Sequence, residues 1–459
     1  MIPVAPPAGP TPKGSALVWS ARTVIVWACF FVAGGPCECF CQEPEAIVGD
    51  ELLSGFDLSS LEALALQYNP TLVQAGAQIQ ISRGKALQAG LLPNPTLGYA
   101  GEQIGAEGTP GEFQGLVIEQ EIITGGKLRL SRAKYAQEAQ QAQIQLLAQR
   151  YRVLYGVRIA FYNALANQRR VELRRQMIEN SEEVEKTINE LVNVGQANQA
   201  DLLQSQVRLQ RSQANLRMVE RQYRGSWEEL TAVIGAPDMG LTRLDGSLDF
   251  EWDATVDREA ALRELLACSP ELRVARAEVR RDQIGLRRET VEPIPNIALR
   301  ADTGYNFEAE DTVAGVEIGL EIPLFDRNQG TILQAQAELS RAQAEVARLE
   351  LVLRRRFAQV FTEYETAMLS SRTYSQELMP GAEKVYRLYF ESFQQRRAAW
   401  PQVLDAQRDY YELVEEHLDY LLDARRAEAQ LASYLLDGGL DQPPAPTPEG
   451  HRDATPKPR

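Results

Sequence analysis

Hydrophobic residues recur at alternating intervals of three and four over very long stretches of this chain. One such row in the second half is Ile332, Ala335, Leu339, Ala342, Val346, Leu349 and Leu353. This spacing is typical of helices that pack side by side as in a coiled coil, and the many small residues favour close approach. The pattern predicts helices at 57–92, 128–193, 199–235, 257–292, 329–395 and 399–436.

The two longest predicted helices, 128–193 and 329–395, would each extend about 100 Å at 1.5 Å per residue. In each half of the chain, the two shorter helices sum to about the length of the long one. They could therefore stack end to end beside it and form a rod. Pro380 lacks a backbone N–H, so we expect a kink in the second long helix.

Four stretches alternate apolar and polar residues with a period of two, which predicts strands. They lie near 96–104, 113–123, 296–305 and 313–322. Alternation alone also fits a small sandwich, or a sheet with one wet face. However, ten residues tilted by ~40° span about 25 Å, the height of the apolar band of an outer-membrane barrel. Four strands cannot close a barrel, so we expect their edges to pair between chains.

The predicted elements occur twice, at a nearly constant offset of 200 to 202 residues. Asn69-Pro70 is matched by Ser269-Pro270, Pro93-Asn94 by Pro295-Asn296, and Glu121-Ile122 by Glu321-Ile322. We therefore divide the body into a first repeat at 57–250 and a second at 257–437.

Composition argues against several functional classes. The net charge is −15, from 63 acidic and 48 basic residues, which disfavours nucleic acid as a partner because phosphates select basic surfaces. The chain has two histidines, and four of its five cysteines lie within the first 41 residues. We therefore expect no catalytic residues, no cofactor site and no metal site. His417 lies on a heptad row and is interpreted as a packed histidine.

The two ends of the chain differ from the body. Residues 1–41 contain a basic start and a short apolar run at 23–33, which predict a secretory signal with an uncertain cleavage site. Val26-Trp27-Ala28-Cys29 distantly resembles a lipoprotein cleavage box, so lipidation of Cys29 stands as an alternative. Residues 42–56 are interpreted as a linker, and the proline-rich residues 438–459 as a disordered tail.

The duplicated helix–hairpin–helix–helix pattern resembles the outer-membrane efflux protein family, the TolC-like channel-tunnels. The stretch from Ile322 to Gly330 (IPLFDRNQG), together with Gly125-Gly126-Lys127 and Leu92-Pro93-Asn94-Pro95, is similar to the CzcC-like heavy-metal efflux branch. The resemblance implies a mainly α fold with a β-barrel part. Three chains would form a 12-stranded outer-membrane β-barrel that continues into a long periplasmic α-helical barrel.

The resemblance also assigns roles to individual residues. The helix tips would form the periplasmic entrance and contact an adaptor; they are Gly195, Gln196, Ala197, Asn198, Arg396, Arg397, Ala398 and Ala399. Family members can carry two aspartates three residues apart that form a cation-attracting ring. Asp405 matches the second of them, whereas Gln402 stands at the first. A solvated helix position is the alternative interpretation of Asp405.

A latch at the entrance is implied less completely. Asp201 matches the acidic residue of the latch, but Phe393 replaces the tyrosine that binds it and Ala398 replaces the arginine. The polar face of the strands would line the barrel lumen; its charged residues are Glu119, Glu121, Arg300, Asp302, Glu317 and Glu321.

The expected function is that of a passive outer-membrane channel, reaching into the periplasm, in a tripartite efflux system. The homotrimer would contact outer-membrane lipid, a periplasmic adaptor and an inner-membrane pump of the resistance–nodulation–division class. Its cargo would be heavy-metal cations or other small toxic solutes. A conduit for type I protein secretion and a structural periplasmic coiled coil are the alternatives.

Overall fold

Proline residues set the first breaks in the helical pattern. The computed structural model describes residues 55–104, 111–195, 198–250, 256–395 and 397–445. The predicted helix at 57–92 is two helices, α1 (Leu58–Tyr68) and α2 (Pro70–Gln88). The residue before a proline is driven out of the helical region, and the Asn69 side chain accepts a hydrogen bond from the Thr71 N–H at 3.0 Å, which caps α2. The predicted signal region, the linker up to residue 54 and residues 446–459 of the predicted tail lie outside the described residues.

The first repeat continues with a hairpin and two long helices. These are β1 (Thr96–Glu102), β2 (Phe113–Ile122), α3 (Lys127–Asn193) and α4 (Gln199–Ile234). At 67 residues, α3 is about 100 Å long. The predicted limits of both helices are correct to within one residue.

The second repeat has the same element order. Its elements are α5 (Arg258–Cys268), α6 (Pro270–Val291), β3 (Ile297–Asn306), β4 (Asp311–Leu320), α7 (Gln329–Thr373), α8 (Met379–Gln394) and α9 (Trp400–Ala432). A π-helical turn, Tyr374–Leu378, joins α7 to α8 directly before the expected break at Pro380. The second long helix is thus interrupted where the first is continuous.

The strands form one antiparallel sheet in the order β1-β2-β3-β4. Its register places Thr96, Glu119, Arg300 and Glu317 in one row across the strands. The sandwich interpretation is therefore wrong for the described strands, which lie in a single layer. Among the described residues, β1 and β4 each pair on one side only, so the described sheet has two open edges.

The helices pack around α3. This helix contacts α2 and α6 along its half near the sheet, and α4 and α9 along the rest, while α7 packs against α6 and α9. The largest apolar core is built mainly by the first repeat, around Phe161, Leu230 and Ile234; a second core surrounds Leu353 and Phe361. These cores lie where the short helices of each repeat meet, away from the sheet.

None of the described helices is both long enough and apolar enough to cross a membrane.

Leu230 tests the first core. Its side chain is 0 % exposed, whereas Leu241, in the loop after α4, is 51 % exposed. We expect Leu230→Ala to lower the free energy of unfolding by about 2–5 kcal/mol, because it leaves a cavity. Leu241→Ala should change it by less than about 0.5 kcal/mol. Guanidinium unfolding of the purified protein, followed by circular dichroism, measures both; equal losses would contradict this assignment of the core.

Candidate functional site

The first helix tip lies between α3 and α4. Gly195 adopts a left-handed conformation with φ +70°, which ends α3. The Asn198 side chain accepts a hydrogen bond from the Asp201 N–H at 2.8 Å, and the Asp201 carboxylate accepts one from the Asn198 N–H at 3.4 Å. This reciprocal cap orients Asp201 toward its own helix. Gln196 and Ala197 lie outside the described residues.

The second tip lies between α8 and α9. The Gln402 side chain accepts a hydrogen bond from the Ala399 N–H at 3.1 Å, which caps α9. The Arg397 N–H donates to the Ser392 carbonyl at 2.8 Å. Ala398 follows Arg397 in this turn, and Arg396 lies outside the described residues. Gln402 therefore has a capping function that needs no charge.

An apolar cluster joins the two tips. It consists of Val184, Ile188, Leu202, Trp400, Val403 and Leu404, and we call it the tip cluster. Phe393 packs on it, with its ring centroid 5.0 Å from that of Trp400. The sequence placed Phe393 at a latch position but gave no role to Trp400, whose burial beside the tips could have been inferred only from knowing which helices pair. The cluster fixes the two tips to each other.

Asp405 directly follows Val403 and Leu404 of the tip cluster, and its side chain is exposed. The nearest guanidinium nitrogen of Arg408 is 3.8 Å from its carboxylate. Arg208 of α4 lies close as well: burial lowers the pKa of this arginine, and the charge of Asp405 opposes that effect. In the single chain, Asp405 thus lies beside two arginines, of which Arg408 is bound more closely to Asp409, at 3.0 Å. The charge of Asp405 is therefore only partly offset within the chain.

The polar face of the sheet gathers most of the expected lumen residues. Arg300 lies between Glu119 and Glu317 in the register, with its Nε 3.8 Å from the Glu119 carboxylate. Asp302 lies over Gly315, where a Cβ would come within 2.8 Å of its carboxylate oxygens. Glu121 accepts a hydrogen bond from the Asn296 side chain at 2.8 Å, and Glu321 follows the last residue of β4.

The opposite face of the sheet is apolar and uncovered within the chain. Its exposed side chains include Leu97, Tyr99, Leu116, Ile118, Val316, Ile318 and Leu320. A contiguous apolar patch of this kind marks a surface that meets lipid or another protein. The sheet therefore has one charged face and one apolar face, as the alternation predicted.

A polar contact group ties the π-helical turn to α9. The Tyr374 hydroxyl donates to Glu416 at 2.9 Å, which raises the pKa of Tyr374 to about 12. His417 Nε2 lies 3.1 Å from the hydroxyl of the fully buried Ser371. His417 is therefore packed, as expected, and no group of three or more His, Cys, Asp or Glu residues in the described ranges is placed to hold a metal ion.

Comparison with known proteins identifies relatives of the whole body of the chain. The profile of the family described as "Outer membrane efflux protein" matches residues 61–236 and 261–435. The cobalt-zinc-cadmium resistance protein CzcC of Cupriavidus metallidurans is 25% identical over 360 residues, which cover 77% of this chain and 84% of that protein. These matches confirm the resemblance found in the sequence.

Solved structures share the fold. The outer-membrane channel OprN superposes with a TM-score of 0.68 at 16% identity, over 84% of this chain and 91% of OprN. The outer membrane protein VceC from Vibrio cholerae gives 0.65 at 18% identity, over 84% and 97% of the two chains. CusC gives 0.63 at 15% identity, over 83% and 92%. The expected TolC-like fold is thereby confirmed.

His417 should make stability depend on pH. Burial lowers the pKa of His417, although Asp249 opposes this. In the unfolded chain the imidazole takes up a proton near pH 6.5, whereas the folded protein resists protonation until lower pH. Stability is therefore lost as pH falls below about 6.5. We expect the midpoint of thermal unfolding to fall less between pH 7 and pH 5 in His417→Gln than in the parent. An equal fall of the unfolding midpoint in both proteins would contradict this role of His417.

Proposed function

We propose that this chain, which belongs to the outer membrane efflux protein family, forms the channel of a tripartite efflux system. It resides in the outer membrane and extends into the periplasm, as its relatives do. The observation that carries the proposal is the sheet, with an uncovered apolar face, a charged face and two open edges, joined to helices of up to 67 residues. Such a sheet can separate lipid, on its apolar face, from water, on its charged face.

Strand arithmetic requires at least two copies of the chain, and the family implies three. The smallest outer-membrane barrels have eight strands, so the four strands of one chain need further copies. Three copies would supply 12. Because β1 and β4 run in opposite directions, β4 of one copy can pair with β1 of the next in the antiparallel sense. A ring closed in this way has no edges left.

The two faces of the closed sheet would have different surroundings. Leu97, Val316 and Ile318 would contact lipid tails, and Glu119, Arg300, Asp302 and Glu317 would face the water-filled lumen. The channel would be passive, because energy is supplied by the pump. An isolated periplasmic coiled coil would leave the apolar sheet face in water, so it explains the described structure less well.

The helix tips are the proposed periplasmic entrance. Gly195, Asn198, Arg397 and Ala399 are exposed around the tip cluster and are available to a periplasmic adaptor. Asp201, Gln402 and Phe393 would act there mainly by shaping the tips through caps and packing. Asp405 is the remaining candidate for an electrostatic role near the axis. The inner-membrane pump, of the resistance–nodulation–division class, would feed the adaptor.

Heavy-metal cations are the proposed cargo, with other small toxic solutes second. Support comes from the IPLFDRNQG stretch and from the similarity to a cobalt-zinc-cadmium resistance protein over 77% of the chain. In this proposal the channel needs no metal-binding group of its own, and metal selection belongs to the pump.

Deletion of the gene tests the cargo. We expect the deletion strain to lose tolerance to zinc, cobalt or cadmium, with minimum inhibitory concentrations several-fold lower, and the wild-type gene to restore it. Unchanged tolerance to all three would overturn the metal part of the proposal.

Two neighbouring residues test the barrel in the same strain. Ile318→Arg places a charge on the proposed lipid face, at a cost of about 2–4 kcal/mol near the membrane midplane, and should fail to restore tolerance. Glu317→Gln, on the lumen face of the same strand, should restore it. Full restoration by Ile318→Arg at equal protein levels would count against lipid contact.

A further inference from the structure

The most exposed aromatic side chain of the described residues, Phe325, lies near the sheet and is left almost uncovered by them. Phe325 is 92 % exposed and its neighbour Leu324 is 63 % exposed. Both lie in the connection from β4 to α7, residues 321–328, of which we call residues 323–328 the β4–α7 loop. This loop is the centre of the IPLFDRNQG stretch. That stretch indicated a branch of the family, but the channel function does not explain what its side chains contact. Large exposed apolar groups of this kind indicate an interaction surface.

The polar residues of the β4–α7 loop hold it in one conformation. The Asn328 side chain donates to the Glu289 carbonyl of α6 at 2.9 Å and to the Glu289 carboxylate at 3.0 Å. Asp326 accepts from the Asn328 N–H at 2.8 Å, and Gln329 accepts from the Arg327 N–H at 2.7 Å. Asn328 itself has φ +60°. The loop is thus anchored from behind, and it presents Leu324 and Phe325 outward.

The duplication supplies a template for what these side chains meet. In the first repeat, the equivalent loop between β2 and α3 packs on the corner between α6 and β3 of the second repeat. Thr124 donates from its N–H to the Asn296 side chain at 3.3 Å and from its hydroxyl to the Pro295 carbonyl. A Cβ on Gly125 would lie 3.0 Å from the side chain of Ile294. One repeat therefore interlocks with the next inside the chain.

The loop after β4 has no following repeat in its own chain, so the equivalent contact would be made with another copy. An offset of 202 residues maps Ile294, Pro295 and Asn296 onto Leu92, Pro93 and Asn94. This corner, between α2 and β1, lies beside the open β1 edge. Both Leu91 and Leu92 are exposed there. The register places the start of β1 and the end of β4 at the same end of the sheet.

We propose that Leu324 and Phe325 of one copy pack against Leu91 and Leu92 of the next copy, and that this contact locks the ring together. The assignment rests on the proposed trimeric channel and gives its interface a named contact. Residues 323–328 are two more than their counterpart 123–126, and at an offset of 200 residues Leu324 and Phe325 stand where the first repeat has Thr124 and Gly125. The contact between copies is therefore more apolar than its counterpart within the chain.

The helices beyond the loop support a second copy as the occupant, because they carry matching exposed rows. The row on α7 is Leu333, Ala337, Ser340, Ala344, Ala347 and Leu351, and the row on α2, continuing past its end, is Val73, Ala77, Gln80, Gly84, Leu87 and Leu91. Both rows have the same 4-3-4-3-4 spacing, over about 27 Å.

The equivalent face of α3 is already packed inside the chain. Ser131, the counterpart of Leu333, accepts a hydrogen bond from Arg288 of α6 at 3.0 Å. The contact between α3 and α6 is thus the model for a contact between α7 and the α2 of the next copy. A Cβ on Gly84 of α2 would meet nothing within 4 Å in its own chain, which leaves room for such a helix.

Disulfide cross-linking tests the contact. In a background in which Cys268 and the four cysteines at positions 29, 37, 39 and 41 are replaced by alanine, the pair Phe325→Cys and Leu92→Cys is oxidised in outer membranes and run on a non-reducing gel. Because each copy carries both cysteines, we expect most of the monomer band to shift to dimer and trimer. The matched control joins Leu92→Cys to Leu351→Cys, which is also exposed but 26 residues beyond Phe325; it should stay monomeric, like the background alone.

Two outcomes separate this contact from the channel itself. If the parent protein forms a trimer but the Phe325–Leu92 pair does not cross-link, the contact is overturned and the channel proposal survives. If the parent forms no oligomer, both fail.

A fluorescence measurement tests lipid as the occupant instead. Phe325→Trp and Ile318→Trp, the latter on the proposed lipid face, are each reconstituted with brominated lipids, and the quenching of the parent protein, which reports its own tryptophans, is subtracted. We expect strong quenching at position 318 and little at 325; equal quenching would overturn the contact between copies.

Discussion

The backbone hydrogen bonds of two strand edges constrain the rest of this molecule. β1 and β4 each pair on only one side within the chain, and the apolar face between them is uncovered. In the apolar interior of a membrane, an unpaired N–H or C=O costs several kcal/mol, so edges must be closed. Four strands per chain are too few to close alone, so in the proposed channel the remaining strands come from identical copies. The charged face then has to enclose water, and the helices have to follow the same ring.

Because the chain is internally duplicated, one type of contact can join both the two repeats and neighbouring copies. The loop after β2 interlocks with the corner before β3 through Thr124, Gly125 and Ile294. A chain that carries this contact within itself needs only a variant of it to join its neighbour. The two repeats are nevertheless unequal. The first long helix is continuous, whereas a π-helical turn interrupts the second, and Tyr374 and Ser371 connect that region to Glu416 and His417 of α9. The long helix of the second repeat therefore differs from that of the first at this turn.

Helix extents and strand faces could be predicted because periodicity reports directly on burial. The helix predicted at 128–193 agrees with α3 to within one residue, and alternation placed Glu119, Arg300 and Glu317 on one face. The splits at Asn69-Pro70 and Ser269-Pro270, within the helices predicted at 57–92 and 257–292, were missed because the apolar pattern runs through them. The capping roles of Asp201 and Gln402, and the two arginines near Asp405, depend on turns and on neighbouring helices. The spacing of residues along one helix does not report the conformation of a turn or the side chains of a neighbouring helix.

In the proposed channel, the chain is one third of a closed ring. Native mass spectrometry of the protein, extracted from outer membranes in mild detergent, measures the number of copies directly. We expect a single assembly with three times the mass of the mature chain, and no stable dimer or open series. A monomer, or a ladder of increasing masses, would contradict it, because the β1 and β4 edges would then remain unpaired in the membrane.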